Sequence, residues 1–204
     1  MQVYVVDNDP LVCRTLARML QCDGIEARTF PSAAAFLDKL DSLEFGCVML
    51  DIAMPDHSGL DVLSTILREK PPWPVIMVSG STAVDDAIAS FRRGAIHFLR
   101  KPFRLEELRS AIAEASRIGA ERKAAHERQM RARQVHLTGR ERQILSAMAD
   151  GLQTKMIAWQ LELSVRTVDM HRSNILAKLS ARNAAEAVAV ARDLALLTQV
   201  QIVA

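Results

Sequence analysis

The sequence has few aromatic residues, few cysteines and no long apolar runs. Only 4% of its 204 residues are aromatic although half are hydrophobic, so a core has to be built mainly from aliphatic side chains. No apolar stretch approaches the roughly 20 residues that a membrane-spanning helix needs, and the chain begins directly with an apolar strand pattern instead of a signal peptide. These absences predict a cytoplasmic protein with no membrane partner.

The scarcity of cysteine argues against a disulfide framework or a zinc site. The three cysteines, Cys13, Cys22 and Cys47, are an odd number, and each lies in an apolar helical or strand pattern. Thiols in such positions are typical of a reducing compartment and behave as small apolar side chains. We therefore expect all three to be reduced and buried.

Charge is distributed unevenly along the chain. Residues 1–115 contain 12 Lys and Arg against 16 Asp and Glu, whereas residues 116–204 contain 14 against 8. The length allows two modest domains, and an acidic half followed by a basic half is typical of a sensor or enzyme domain joined to a nucleic-acid-binding domain. Ordinary solvated charge on both surfaces is the alternative explanation.

The order of the apolar segments predicts two different folds. Five strand-like runs, near 2–6, 25–29, 47–50, 75–79 and 95–99, alternate with helical patterns, which indicates right-handed crossovers and a doubly wound parallel sheet. In the first helix, which starts after residue 9, the apolar face is predicted to contain Leu11, Leu16, Met19 and Leu20. Further helical patterns follow near 33–40, 59–69, 80–92 and from 105 onward. A charged, alanine-rich stretch at 116–134 is typical of a solvated linker helix, and four helical segments follow it, at about 138–150, 154–161, 165–179 and 183–198.

Acidic residues follow two of the predicted strands. Asp51 ends the run 47–50, and Asp7, Asn8 and Asp9 come after the first strand. Because the carboxyl ends of parallel strands meet at one edge of an open sheet, these groups should converge, and their oxygens suit a hard cation and a phosphoryl group. Two alternatives stay open: Asp51 as a loop cap, and Asp9, which precedes Pro10, as the N-cap of the first helix.

Four short motifs in the first half together resemble a response-regulator receiver domain. They are Val6-Asp7-Asn8-Asp9-Pro10, Leu50-Asp51-Ile52-Ala53-Met54-Pro55 with Gly59, Val78-Ser79-Gly80, and Lys101-Pro102-Phe103. The resemblance implies an α/β, flavodoxin-like sheet of strand order 2-1-3-4-5, a cis Lys101-Pro102 peptide and phosphorylation of Asp51 by a sensor histidine kinase. It also implies a Mg²⁺ site built from Asp7, Asn8, Asp51 and the backbone carbonyl of Ala53, with Asp9 as a further candidate.

The same resemblance assigns roles to three more residues. Lys101 and Ser79 would bind phosphoryl oxygens, for which an ammonium and a hydroxyl are suited, and Phe98 would be an aromatic switch that packs inward when Ser79 moves. An ordinary strand-end serine and a core phenylalanine are the alternatives. Asn8 departs from the family pattern, which usually places a second carboxylate there, so we expect weaker Mg²⁺ binding and slower phosphorylation.

The second half begins with a capping box, formed by Thr138 and Glu141 three residues later. A set of motif residues resembles the LuxR-type helix-turn-helix, whose third helix would enter the major groove of DNA. They are Leu137-Thr138, Arg140-Glu141, Gly151, Lys155, Ile157-Ala158, Ser164, Arg166-Thr167-Val168, His171-Arg172, Asn174-Ile175 and Lys178-Leu179. Nine candidates for DNA contact follow from the resemblance. Lys155, Arg166 and Arg172 would contact phosphates, Asp169, Met170, Ser173 and Asn174 base edges, and Thr167 and His171 complete the set.

Several positions in this half keep a second interpretation. His171 could be a hydrogen-bonded interhelical histidine, and Arg140 and Lys178 are expected to be ordinary surface charges. The last helix, with Ala187, Val188, Val190, Ala191 and Leu194, is apolar enough to serve a dimer surface as well as a core.

Together the two resemblances indicate a regulator of the FixJ/NarL group, with a receiver domain at 1–118, a helical linker at 119–135 and a DNA-binding domain at 136–204. Its predicted function is transcription regulation switched by phosphorylation of Asp51, through dimerisation or release of the DNA-binding domain. The partners would be a sensor histidine kinase, double-stranded DNA and a second copy, with RNA polymerase as a further candidate. A phosphorylation-independent regulator with a weakened Mg²⁺ site is the alternative. An enzyme on a flavodoxin-like domain is disfavoured, because residues 80–82 are too little to line a substrate pocket.

Overall fold

The computed structural model describes residues 1–81 and 84–197, which form two compact units, Met1–His126 and the segment from Glu127 onward. The strands of the first unit are β1 (Gln2–Val6), β2 (Ala27–Phe30), β3 (Gly46–Asp51), β4 (Val75–Ser79) and β5 (His97–Arg100). Its helices are α1 (Pro10–Cys22), α2 (Ala33–Leu37), α3 (Gly59–Glu69), α4 (Val84–Arg92) and α5 (Leu105–Gln134), of which the last turns belong to the second unit.

The five strands form one parallel sheet in the order β2-β1-β3-β4-β5, which confirms the predicted fold class. All six residues of the central strand β3 are buried, as is typical of a parallel sheet that is covered on both faces. The register pairs Val6 with Leu50 and Asp51 with Val78. The residues that follow β1, β3 and β4 therefore emerge at the same edge of the sheet.

Alternating side chains along the strands produce one core on each face of the sheet. Phe36 of α2 and Ile66 of α3 pack on one face, and Leu16 of α1 and Leu108 of α5 pack on the other. Each of these side chains is almost completely removed from water, and such burial contributes about 1.5–3 kcal/mol per residue. The helices on both faces thus hold the strand ends, and the loops after them, in fixed positions.

Some strand and helix boundaries differ from the prediction. β2 is Ala27–Phe30 instead of 25–29, and β5 is His97–Arg100 instead of 95–99. Ala95 belongs to the turn that closes α4, because its N–H donates to the carbonyl of Ser90. Gly94, just before it, has the positive φ of 98° that such a turn requires. A similar turn precedes β2. The predicted start of α4 involved residue 82, which lies outside the described residues.

Helix α5 continues without a break through the stretch that we expected to be a separate, solvated linker helix. Gly119 is buried within it, and a methyl group at this position would lie 2.8 Å from Pro74 Cγ and 3.3 Å from Phe45 Cζ. Glycine is thus required here by the close approach of α5 to the segment before β4. The solvated character predicted for this stretch is therefore confirmed for most of the residues after Gly119, which are exposed, but Gly119 itself is buried.

The second unit consists, in its described part, of helices alone: α6 (Gly139–Ala149), α7 (Thr154–Gln160), α8 (Val165–Lys178) and α9 (Ala184–Asp193). They pack around an aliphatic core that includes Ile144, Leu145, Ile157, Val168, Ile175, Ala187 and Ala191. α9 ends earlier than the predicted residue 198, which lies outside the described residues. Ala195 takes a positive φ of 52° and the Leu196 N–H donates to the Ala191 carbonyl, which closes the helix.

Two side chains of α1 are more exposed than expected. Cys13 and Cys47 are buried, but Cys22 is exposed, and Leu11 is 63% exposed. Two positions along a helix turn a side chain to the opposite side. Leu11 lies two positions before the buried Cys13, and Cys22 lies two positions after the buried Leu20, so both point away from the core. None of the helices in residues 1–81 and 84–197 is both long and apolar enough to cross a membrane.

Candidate functional site

The carboxylates of Asp7 and Asp51 lie at the carboxyl edge of the sheet and are almost fully buried, at 3% and 5% exposure. Lys101, the residue after β5, reaches both of them. Its Nζ donates to Asp7 Oδ2 at 2.6 Å and to Asp51 Oδ1 at 2.7 Å. These are short, charge-assisted hydrogen bonds, in which one ammonium balances two buried negative charges and leaves one in excess.

The second oxygen of each carboxylate is hydrogen-bonded to the backbone. Asp7 Oδ1 accepts from the Asp9 N–H, and Asp51 Oδ2 accepts from the Ala53 N–H, both at 2.9 Å. Each carboxylate is therefore held in one orientation from both sides. A carboxylate oxygen has two lone pairs, so these contacts leave capacity for a further ligand.

The loop after Asp51 is fixed by two contacts. At its end, Gly59 approaches so closely that a side-chain Cβ would collide with the Asp51 carbonyl oxygen. In its middle, Asp56 Oδ2 accepts the N–H of Ala34 at the start of α2 at 2.9 Å, a bond that lowers the pKa of Asp56. The loop therefore keeps Asp51 in place at the sheet edge.

Ser79 and Lys101 also lie at this edge of the sheet, where the resemblance places them. The Ser79 side chain is buried, its Oγ accepts from the Ser81 N–H at 3.0 Å, and its carbonyl accepts from the Lys101 N–H at 2.7 Å. The Lys101-Pro102 peptide is cis, as expected. Burial of the Lys101 ammonium opposes its charge, but hydrogen bonds to Asp51 and Asp7 outweigh that effect and raise the pKa of Lys101.

Asn8 and Asp9, the other two predicted metal ligands, have exposed side chains. Asp9 Oδ1 accepts from the Leu11 N–H at 2.8 Å and caps α1, which confirms the N-cap interpretation. No group of three acidic, His or Cys side chains in the described part of the chain is placed to hold a metal ion. Two carboxylates that share one ammonium nevertheless offer hard oxygen donors and net negative charge, which fits Mg²⁺ because this ion keeps several waters and needs few protein ligands.

An apolar groove lies beside Lys101, between α1 and the start of the segment that leads into α5. We call it the α1 groove; it has a volume of about 460 Å³ and is lined by Leu11, Val12, Thr15, Leu16, Met19, Lys101, Pro102 and Phe103. Its rim contains the exposed Leu11. Sequence reasoning placed Leu11 in the core, and the groove itself depends on residues 90 positions apart, so no local pattern predicted it.

A second apolar surface, the α4 face, consists of Val84, Ile88 and Phe91, which are 70%, 44% and 51% exposed. Their spacing of four and three residues places them on one side of α4. The resemblance implied a dimer surface that includes the fourth helix, but the prediction did not name these three residues, although their spacing is visible in the sequence. Phe98, the proposed switch, is half-buried in β5 and packs against the core.

In the second unit, α7, a short turn and α8 form a helix-turn-helix. The core side of α8 contains Val168 and Ile175, and its exposed side contains five of the predicted DNA contacts, Arg166, Asp169, Met170, Ser173 and Asn174. Lys155 is exposed on α7. Thr167 is half-buried and its hydroxyl is hydrogen-bonded to Ser164 Oγ, the N-cap of α8, at 2.8 Å.

Two predicted DNA contacts, Arg172 and His171, face neighbouring helices instead of open solvent. The half-buried Arg172 donates through a guanidinium nitrogen to the Thr154 hydroxyl at the start of α7. His171 is half-buried, and its Nδ1 is buried without a hydrogen-bond partner in the described part of the chain. The alternative of a hydrogen-bonded interhelical histidine is therefore wrong for Nδ1.

The structure also links α8 to the capping box of α6, a contact that sequence reasoning missed. Glu141 is 2% exposed; its Oε2 accepts from the Thr138 N–H and from Lys178 Nζ, both at 2.7 Å. Burial opposes the charge of Glu141, but the hydrogen bonds from Lys178 and Thr138 outweigh it and lower the pKa. Lys178 is therefore not an ordinary surface charge, and only the fold reveals this because 37 positions separate the two residues.

Comparison with known families assigns both units. Residues 3–113 match the response regulator receiver domain, and residues 135–191 match the bacterial regulatory proteins of the luxR family. The first match covers Asp7, Asp51, Ser79 and Lys101, and the second covers the complete helix-turn-helix.

Individual relatives extend over nearly the whole chain. The transcriptional regulatory protein FixJ of Bradyrhizobium diazoefficiens is 34% identical over 191 residues, which are 93% of each chain. The structure of the response regulator StyR superposes with a TM-score of 0.78 at 34% identity, covering 94% of this chain and 98% of that one. The response regulator TrrA of Thermotoga maritima, solved in complex with Mg²⁺ and BeF, covers 56% of this chain and 97% of its own at 28% identity and a TM-score of 0.52. The chain therefore belongs to the FixJ/NarL group of response regulators, which join a receiver domain to a LuxR-type DNA-binding domain.

Proposed function

We propose that this protein is a transcription regulator in which phosphorylation of Asp51 by a sensor histidine kinase controls DNA binding. The observation that carries the proposal is the Lys101 ammonium between the buried carboxylates of Asp51 and Asp7, in a chain that also contains a helix-turn-helix. A fixed carboxylate beside a cation is suited to attack phosphorus. We assign the receiver to 1–118, the linker to 119–135 and DNA binding to 136–204.

In the proposed transfer, an oxygen of Asp51 attacks the phosphorus of a phosphohistidine on the kinase. The new P–O bond forms as the P–N bond breaks, and the imidazole nitrogen leaves with that electron pair and takes up a proton. Lys101 needs to move little to contact a phosphoryl oxygen, because its Nζ already lies 2.7 Å from Asp51 Oδ1. The Ser79 hydroxyl would donate to another oxygen, and the half-buried Phe98 would then pack further inward.

The ligands that we propose for Mg²⁺ are Asp7, Asp51 and the backbone carbonyl of Ala53, with Asn8 as a neutral fourth ligand. Asp9 is omitted because it caps α1. A bound Mg²⁺ would neutralise charge on the transferred phosphoryl group. The related TrrA was solved in complex with Mg²⁺ and BeF, which supports Mg²⁺ binding by this receiver, and the missing charge at Asn8 suggests a weaker affinity.

The α1 groove is the proposed docking surface for the kinase. A phosphohistidine has to reach bonding distance of Asp51, so the phosphodonor protein must cover the surface beside it. The groove is apolar, includes Lys101 in its lining and has the exposed Leu11 on its rim. An apolar side chain of the kinase would gain free energy by burying this surface.

The α4 face is the proposed contact between two copies of the phosphorylated protein. Its three exposed apolar side chains belong to a helix next to β5, which contains Phe98, so a movement of Phe98 would change this surface. Two linked DNA-binding domains bind two half-sites much more tightly than one domain binds one. Release of the DNA-binding domain is the second route by which phosphorylation could act.

The proposed base contacts, Asp169, Met170, Ser173 and Asn174, lie on the exposed side of α8. Lys155, Arg166 and Arg172 are the proposed phosphate contacts. From Glu127 onward the chain contains 11 Lys and Arg against 7 Asp and Glu, a balance that supports binding to the phosphate backbone. The proposal includes a contact with RNA polymerase. It also includes a cytoplasmic location, because the DNA and the phosphorylated domain of the kinase would be found there.

One observation favours a second candidate, a regulator that does not depend on phosphorylation. Asn8 removes a charge from the metal site, and Lys101 already satisfies one oxygen of each buried carboxylate. Such a protein would be controlled by its concentration or by a protein partner.

A single experiment distinguishes the two candidates. Wild type and Asp51→Asn are incubated with acetyl phosphate and Mg²⁺, the mass of each protein is measured, and binding to a selected DNA duplex is titrated. We expect wild type alone to gain one phosphoryl mass and to bind DNA more tightly after treatment. If wild type gains no mass and binds DNA equally tightly with and without acetyl phosphate, the result supports the second candidate.

A further inference from the structure

The exposed side of α8 has large apolar side chains among its charged ones. Met170 is 53% exposed and Val165, the first residue of the helix, is 43% exposed. Neither belongs to the core of the second unit, whose α8 members are Val168 and Ile175, with Leu176 partly buried. Sequence reasoning had not singled out Val165.

Met170 lies near the middle of this exposed side. Arg166 precedes it by four residues and Ser173 follows by three, so the three side chains lie on one side of the helix. Val165 lies at the flank of the same side, one turn before Asp169. An apolar contact at either position would be immediately next to a polar one.

Some of the polar groups on this helix are already hydrogen-bonded within it. The Ser173 hydroxyl donates to the Asp169 carbonyl at 3.0 Å, and the Thr167 hydroxyl is paired with Ser164 Oγ at 2.8 Å. Fewer hydroxyls therefore remain to read hydrogen-bonding groups of the bases.

The chemistry of the major groove identifies what such side chains can recognise. Thymine is the base that presents a methyl group there, at C5, whereas cytosine presents an amino donor and guanine presents acceptors. A methionine or valine side chain placed against a polar base edge would leave that edge without a hydrogen-bond partner, at a cost in free energy. Against a thymine methyl it buries apolar surface without that cost.

We infer that Met170 and Val165 contact thymine methyl groups, so that each operator half-site requires thymine at defined positions. The inference rests on the proposed function, in which α8 enters the major groove, and adds the chemical basis of its sequence preference. Arg166, which precedes Met170 by one turn, would bind a neighbouring phosphate, as proposed above.

The test uses the full-length protein, treated with acetyl phosphate and Mg²⁺, and a duplex that it selects from random-sequence DNA. Each thymine of the selected half-site is replaced in turn by deoxyuridine, which pairs identically and lacks the methyl group. Affinity is measured by fluorescence anisotropy at one salt concentration for wild type, Met170→Ala and Val165→Ala. Met156→Ala is the matched control, because Met156 is 52% exposed but lies on α7.

We expect deoxyuridine to weaken wild-type binding about four-fold at a contacted position, the effect of one buried methyl group. Met170→Ala and Val165→Ala should each abolish the sensitivity at one position, whereas Met156→Ala should keep the wild-type pattern. Specific binding that no deoxyuridine weakens, or a wild-type pattern in both α8 variants, would overturn the inference alone. If no sequence is selected and every duplex binds equally, the proposed function fails and the inference fails with it.

Discussion

At the residue scale, the sheet edge is governed by one cation between two buried carboxylates. Lys101 Nζ donates to Asp7 Oδ2 at 2.6 Å and to Asp51 Oδ1 at 2.7 Å, so one ammonium holds the two buried carboxylates side by side. The exposed Asn8 supplies no charge to this edge. In the proposed phosphorylation, the electrostatics would therefore depend on how Lys101 and a Mg²⁺ ion share two carboxylates.

The first prediction at this scale concerns Asn8. Asn8→Asp adds one negative charge next to the metal site and should raise Mg²⁺ affinity about ten-fold, because a divalent cation about 4 Å from a carboxylate gains free energy even in a solvated setting. Isothermal titration with Mg²⁺ measures this. Asn8→Ala, which removes the amide and adds no charge, is the control and should not gain affinity. Equal affinities of wild type and Asn8→Asp would contradict the prediction.

At the element scale, polar contacts join the helices of the DNA-binding unit across its core. Lys178 at the end of α8 is bonded to the buried Glu141 of α6, and Arg172 in the middle of α8 is bonded to Thr154 of α7. Each contact fixes the orientation of α8 relative to one neighbouring helix. Because α8 is the proposed recognition helix, these two bonds bear on both stability and DNA binding.

Removal of the Lys178 charge should destabilise this unit. Lys178→Met leaves a buried carboxylate with one partner fewer and should lower the free energy of unfolding by about 1–3 kcal/mol, measured by hydrogen exchange of the amides of α6 and α8. Arg182→Met is the control, since Arg182 and Glu186 form an exposed ion pair of 3.7 Å that contributes little. Equal losses in both variants would contradict the prediction.

The same contact predicts a dependence on pH. The pKa of Glu141 is lowered in the folded protein, so its stabilising effect is fully present above the unfolded-state pKa of about 4.3 and is lost as the pH falls through the folded-state value. As the pH falls from about 5, the free energy of unfolding should therefore decrease less for Glu141→Gln than for wild type. Parallel acid-unfolding curves for the two proteins would argue against this role.

A phosphate contact by Arg172 should appear in the salt dependence of DNA binding. Arg172→Ala would reduce the slope of log K against log salt by about 0.9, the value for one phosphate. Thr154→Val removes the hydrogen bond to Arg172 but keeps its charge, and should leave the slope unchanged. If both variants lower affinity and neither changes the slope, Arg172 acts only by joining α8 to α7.

At the scale of the whole molecule, the receiver presents two apolar surfaces with different proposed partners. The α1 groove would receive the kinase, and the α4 face would receive a second copy. Both surfaces contain exposed side chains, so their substitution leaves the core intact. The two functions can therefore be separated by single changes.

Leu11→Ala should slow phosphotransfer from the kinase that phosphorylates wild type fastest, while phosphorylation by acetyl phosphate stays normal. Phe91→Ser should have the opposite profile: normal phosphotransfer, but less dimer in analytical ultracentrifugation after acetyl phosphate treatment, and weaker binding to a two-site duplex. Each variant is the control for the other. Equal effects of both substitutions on phosphotransfer and dimerisation would contradict the division of surfaces.

Local sequence patterns were sufficient for much of this description. The apolar runs predicted the strands of the sheet, Thr138 and Glu141 predicted a capping box that the structure contains, and the acidic groups after β1 and β3 predicted their convergence. These features depend on neighbours in sequence or on the regular geometry of parallel strands. The strand order, the cis peptide and the role of Lys101 required the family resemblance.

The sequence by itself determined two units, an acidic sheet edge and a helix-turn-helix, because hydrophobic periodicity and capping are local properties. Tertiary structure alone decided the remaining features. The bond between Lys178 and Glu141, the groove between Leu11 and Phe103 and the approach of Gly119 to Pro74 join residues 37 to 92 positions apart. Such contacts arise only when packed elements bring distant side chains together, so no pattern of neighbouring residues encodes them.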